Sequence, residues 1–164
     1  MNRLQWKISA AAFLPSVATL LVVQACGGGG SVLAQTASDP IEGVWEAVVT
    51  QRDCTSNAVI ATFRGAQTMH RGGTLTDTNA GPPALRGPGF GNWSRNADGS
   101  YAVRFRFYRY NSDGSLAGTN VVSATRRLSA DATTYDGVTR NEVRDLSGAV
   151  LQTVCVTDVG SRFN

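Results

Sequence analysis

Ten residues constrain this chain more than any others: Tyr101-Ala-Val-Arg-Phe-Arg-Phe-Tyr-Arg-Tyr110. Tyr101, Val103, Phe105 and Phe107 share one face of an extended chain, and Arg104 and Arg106 share the other. Successive side chains of a strand point to opposite faces, so this run needs one buried side and one wet side. A helical period would scatter the arginines around the axis. Antiparallel sheets provide that asymmetry, whereas parallel sheets bury both faces.

The same pattern recurs beyond Pro40. Short β-rich runs near 43–52, 58–64, 66–70, 73–78, 89–95, 101–110, 117–128, 134–144 and 150–158, with an extended piece to Phe163, alternate with clusters of Gly, Asn and Asp. No stretch after residue 40 shows a capped 3.6-residue apolar period. The spacing predicts an all-β domain over residues 40–164, an antiparallel barrel or sandwich. Pairing across the Asn111-Ser-Asp-Gly114 turn places Asn120, Val122, Ala124, Arg126 and Leu128 on the apolar face. The next run sets Tyr135, Gly137, Thr139, Asn141 and Val143 against Asp136, Arg140, Glu142 and Arg144. After Asp145-Leu-Ser-Gly148, inward positions are Val150, Gln152, Val154 and Val156, and Cys155 points outward.

Residues 1–26 read differently. Arg3 and Lys7 precede an uncharged apolar run from Ile8 to Val23, short for a spanning helix and followed by glycines, which predicts a signal peptide. Val23-Gln24-Ala25-Cys26 resembles the lipobox of bacterial lipoproteins, which implies lipidation at Cys26 and a membrane anchor. Residues 27–39, with the Gly27–Gly30 run, then form a flexible Gly-rich linker. The alternative cut is after Val32-Leu33-Ala34, before Gln35. The implied location is export, as a bacterial outer-membrane lipoprotein or periplasmic protein, or alternatively secretion. Without Arg3 and Lys7 the 15 basic residues of the full chain become thirteen against 12 acidic ones. No basic field remains to attract nucleic acid.

Either cut leaves Cys54 and Cys155, enough for one disulfide in an oxidising compartment; the alternative is a pair of buried thiols. If the two cysteines face each other across antiparallel first and last strands, Gln51 opposes Asp158, Ala47 opposes Arg162 and Trp45 opposes Asn164. A bond between first and last strands is what closure of a barrel would look like, and about eight strands are expected.

Asp39-Pro-Ile-Glu-Gly43-Val-Trp45 resembles the opening of lipocalin-type, or calycin, barrels, in which G-x-W enters the first strand. That resemblance implies that Trp45 packs at a closed end beneath an arginine from near the end of the barrel, here Arg162 in Gly160-Ser-Arg-Phe163. The wider pattern Arg52-Asp-Cys54, Thr62-Phe63, Gly72-Gly-Thr74, Arg86 to Trp93 and Gly160 to Phe163 resembles a set of exported bacterial proteins of unknown function.

Catalytic chemistry is not visible. His70 is the only histidine, and with Arg71-Gly72-Gly73 after it reads as a loop-edge residue rather than a general base. No G-x-S-x-G elbow is present. Only three glutamates exist, Glu42, Glu46 and Glu142, so no paired-carboxylate site is indicated. No metal site or cofactor is indicated either. Asn96-Ala-Asp-Gly-Ser100 and Asn111-Ser-Asp-Gly-Ser115 read as hairpin turns rather than calcium loops. Gly87-Pro-Gly-Phe-Gly-Asn92, with Gly81-Pro-Pro83, reads as a long loop at the barrel mouth entering a strand at about 90–94, with Phe90 and Trp93 as ligand-contact candidates.

The expected interior is apolar with a few polar members. Phe105, Phe107, Asn120, Arg126, Tyr135, Asn141 and Gln152 are the expected ligand-binding set, and Trp45 and Arg162 the structural pair. The leading functional expectation is a non-enzymatic envelope barrel that binds or carries a small, partly apolar ligand. The alternatives are a filled barrel acting as a structural or protein-interaction module, and a small barrel enzyme. A void of roughly 300 Å³ or more separates the first from the second. Ligand identity and oligomeric state are left open.

Overall fold

The computed structural model describes residues 38–163. The signal segment, Cys26, both cleavage positions, the linker to residue 37 and Asn164 lie outside the described residues. Eight strands follow in order: β1 (Gly43–Arg52), β2 (Val59–Met69), β3 (Thr74–Asn79), β4 (Gly89–Arg95), β5 (Tyr101–Tyr110), β6 (Leu116–Leu128), β7 (Thr134–Arg144) and β8 (Val150–Arg162). Each pairs antiparallel with the next, and β8 pairs with β1 to close the barrel. The described residues contain no α-helix, only a 3₁₀ turn at Pro83–Leu85. The expected all-β, eight-stranded antiparallel barrel is therefore the observed fold, and it is consistent with a calycin-like architecture.

The alternation in β5 does what its pattern requires. Tyr101, Val103 and Phe105 are buried while Arg104 and Arg106 are exposed. The two N-x-D-G-S segments form tight turns at opposite ends of β5, with Gly99 and Gly114 at positive φ and the Asp accepting from the following Ser.

Two expectations on strand limits are corrected. The runs at 58–64 and 66–70 are one strand, because Gly65 is held in ladders on both sides, opposite Ala47 in β1 and Asn79 in β3. The runs at 150–158 and onward to Phe163 likewise fuse into β8. The register between first and last strands is also corrected. Trp45 opposes Arg162, Ala47 opposes Gly160 and Gln51 opposes Val156, two residues from the expected pairing. The cause is Cys54, which lies in the turn past the end of β1 rather than in the ladder. Cys155 pairs with Arg52, and the disulfide reaches from the turn to β8 across a Cα–Cα distance of 5.1 Å. The shift is even, so every side chain keeps its expected face.

One end of the barrel is sealed. Ile41, Trp45, Met69, Leu75, Tyr101 and Tyr135 are fully buried there. Asp39 ties the entering segment down, accepting from the Ile41 amide at 3.1 Å and the Tyr101 hydroxyl at 2.6 Å. Trp45 donates its indole N–H to the Ile41 carbonyl at 2.8 Å and meets Tyr135 edge-on. Gly43 is required at the start of β1. Its φ is +127°, and a Cβ there would sit 2.6 Å from Arg162 Nη1.

At the other end the wall is incomplete as a sheet. Pairing of β3 with β2 stops at Gly65–Asn79, and pairing of β4 with β5 stops at Phe90–Arg106. The segment from Ala80 to Pro88 completes the wall instead, tied by Ala80 N–H to the Arg64 carbonyl, Gly87 N–H to the Tyr108 carbonyl and an isolated bridge between Arg86 and Arg109.

Candidate functional site

Above the sealed end the barrel holds a cavity of about 110 Å³. Its lining joins Val49, Phe63, Phe105, Phe107, Val122 and Val156 to a polar set on β2, β3, β6, β7 and β8. Phe63, Phe107, Gln51 and Asn79 are only half-buried, so the cavity opens toward the incomplete end. That end carries exposed apolar side chains: Val59, Ile60, Leu116, Leu146, Val150 and Leu151.

The polar floor is one connected network. Arg126, on β6, donates to Asp158 from Nε at 3.0 Å and from Nη2 at 2.8 Å, and to Gln67 Oε1 from Nη1 at 2.5 Å. Gln67 passes the chain on, donating from Nε2 to Asp77 Oδ1 at 2.7 Å. Asp77 Oδ2 takes Arg86 Nη2 from the Ala80–Pro88 segment. Thr139 donates to Asp158 Oδ1 at 3.1 Å. Two aromatic rings complete the cation sites: Arg126 lies 4.4 Å from the Tyr135 ring centroid and Arg86 lies 3.9 Å from that of Phe107. Burial raises the Asp77 carboxyl above its ordinary range, against the pull of Arg86 and Gln67. Burial likewise raises the Tyr135 phenol.

These bonds limit the chemistry. Both oxygens of Asp77 and both of Asp158 already accept hydrogen bonds from named donors. Buried carboxylates so engaged orient their partners rather than offer a free base to a substrate. His70 lies outside the cavity, exposed, with Nε2 3.4 Å from Thr76 Oγ1.

Of the expected ligand-binding residues, Phe105, Phe107, Asn120, Arg126 and Asn141 line this cavity. Tyr135 does not; it lies beneath Arg126 and packs on Trp45, as part of the floor. Gln152 is exposed at the rim opposite Val143, so its place in the expected set is corrected. Its parity is inward, but it stands above the level at which the walls enclose anything. Phe90 and Trp93 are also corrected. Phe90 is 60% exposed on the outer face, and Trp93 packs edge-on against Tyr101 near the sealed end, donating to the His70 carbonyl at 3.1 Å.

Gln67, Asp77, Arg86, Thr139 and Asp158 complete the site beyond the expected set. Thr139 and Asp158 continue the inward parity of β7 and β8, which is a usable signal. Gln67 and Asp77 face each other because β2 runs unbroken through Gly65 and pairs in register with β3. Arg86 sits on a loop, where no period reports direction. Comparison with known protein families, curated proteins and solved structures found no match for this chain.

Proposed function

We propose that this protein is an exported envelope barrel that binds a small ligand with a polar head and an apolar remainder. The observation that carries the reading is the cavity itself: a fixed polar floor and aromatic walls opening among exposed apolar rim residues. Convergent polar groups in an apolar concavity are the general form of a ligand site. At about 110 Å³ the enclosed space falls short of the roughly 300 Å³ of an ordinary small-molecule pocket, so it suits a head group while the rest lies along the rim. The Cys54–Cys155 disulfide is compatible with an oxidising compartment, and the Cys26 lipobox supports attachment to a membrane from its far side.

Native mass spectrometry of the protein taken from its own envelope tests the reading. The expected result is an added small-molecule mass that is lost on denaturation. A bare polypeptide mass, with a co-purifying protein, supports the second reading of a filled interaction module, which the modest cavity volume favours. Cys26→Ser should release the protein from membranes; unchanged association with a mature start at Gln35 would remove the anchor from the proposal.

A further inference from the structure

Resting on the ligand-binding reading, we infer that the head group this cavity takes is electrically neutral and donates and accepts a hydrogen bond at once, as a primary carboxamide does. The first ground is charge. Among the described residues four charged side chains line the cavity, Asp77, Arg86, Arg126 and Asp158, and they cancel in two ion pairs. An ionic head of either sign would be desolvated with no counter-charge left to receive it.

The second ground is what the network leaves open. Asn120 is buried and donates from Nδ2 to Asn141 Oδ1 at 3.0 Å, while its own Oδ1 has no partner among the described residues. Arg86 uses Nη1 on the Gly87 carbonyl and Nη2 on Asp77, while its buried Nε–H has no partner there either. Buried polar atoms are rarely left without a partner, so an idle acceptor and an idle donor on two side chains that line one cavity mark places a ligand can satisfy once those side chains turn toward it.

Both flank the same ring. Asn120 is the cross-strand partner of Phe107, and the Arg86 guanidinium lies on the face of Phe107. An amide N–H satisfies Asn120 Oδ1, and the amide oxygen accepts from Arg86 Nε. A carboxylate would turn an oxygen toward Asn120 Oδ1, and an ammonium would turn its charge toward Arg86. The cavity holds the volume of about four waters, room for a carboxamide and its first methylene.

The test uses three eight-carbon probes at neutral pH, octanamide, octanoate and octylammonium, titrated calorimetrically into the full-length protein with its disulfide intact. Octanamide should bind at least about tenfold more tightly than either ion, the difference one unsatisfied buried polar group makes. Asn120→Leu should weaken octanamide by about tenfold and cut its advantage over octanoate, whose oxygen then no longer faces Asn120 Oδ1. Asp77→Asn removes one negative charge and should shift preference toward octanoate, which keeps the idea testable should Asn120→Leu fold poorly. Octanoate or octylammonium equalling octanamide in the unmodified protein would overturn the head-group assignment. So would an absence of octanamide binding. In those cases a ligand seen by native mass spectrometry leaves the binding reading standing, and a bare protein ends both.

Discussion

The guanidinium carbon of Arg162 stands 4.4 Å from the Trp45 ring centroid, and the two residues oppose each other across the β1–β8 seam. Arg162 also donates to the carbonyls of Pro40 at 2.5 Å, Glu42 at 2.8 Å and Ala132 at 3.3 Å. One side chain therefore covers the indole, fastens the entering segment and reaches the β6–β7 turn. Arg162→Ala should cost roughly 1–3 kcal/mol and Trp45→Ala about 3–5 kcal/mol in chemical denaturation. The double variant should lose less than the sum, since residues in contact are not additive. Strict additivity would mean that the stacking contributes nothing.

The disulfide joins residues 101 apart in sequence at the seam that closes the barrel. Loop-closure entropy for about 100 residues gives up to roughly 4.7 kcal/mol, and native bridges commonly deliver about 2–4. Cys54→Ser with Cys155→Ser should lower the urea midpoint accordingly, with the far-ultraviolet spectrum unchanged. Because Cys54 sits past the β1 ladder, the register should survive its loss; altered β1–β8 amide exchange across the whole seam would contradict that.

Four strands were legible to the residue: β1, β4, β5 and β7 begin and end where alternation and turn residues place them. A period of two reports which face a side chain occupies, and it reports nothing about height along the barrel. That is why Asn120 and Asn141 were placed correctly inside while Gln152, with the same parity, stands at the rim. It is also why the β1–β8 pairing was right in parity and two residues off in register. Two residues of the polar floor, Gln67 and Asp77, are hidden for another reason. Gly65 reads as a strand break in isolation, and only its ladders to β1 and β3 bring Gln67 and Asp77 to face Arg126.

Acid should unfold the barrel partly through its turns. Asp98 accepts from the Ser100 hydroxyl and amide and from Arg127, and Asp131 accepts from the Ser129 and Thr133 hydroxyls and the Thr133 amide. These donors favour the ionised carboxylates and lower both from 3.8 to about 2. A carboxyl with a lowered folded value contributes stability above its unfolded value and loses it as pH falls through the folded one. The window is therefore about pH 4 down to 2. Asp98→Asn with Asp131→Asn, which keeps an acceptor oxygen in each turn, should flatten the decline of the urea midpoint in that window. An unchanged slope would assign the acid response to other groups.

Gly137 sits opposite Asp158 across β7 and β8, and the Asp158 carboxylate lies against its bare α-carbon. A Cβ on Gly137 would meet Asp158 Oδ1 at 2.2 Å, so Gly137→Ala must move a carboxylate that is itself buried and paired with Arg126. The substitution is small and the backbone there needs no special conformation, so propensity alone would favour alanine. Packing decides the sign. Displacing Asp158 leaves the Arg126 charge buried with a weakened partner, and breaking a buried pair costs about 3–5 kcal/mol. Gly137→Ala should therefore destabilise by about 2–4 kcal/mol in urea denaturation, well above a typical surface change. Adding Asp158→Asn, whose neutral amide can turn aside, should cost less in the Gly137→Ala background than alone. Equal cost in both backgrounds would show that Gly137 and the Asp158–Arg126 pair are independent.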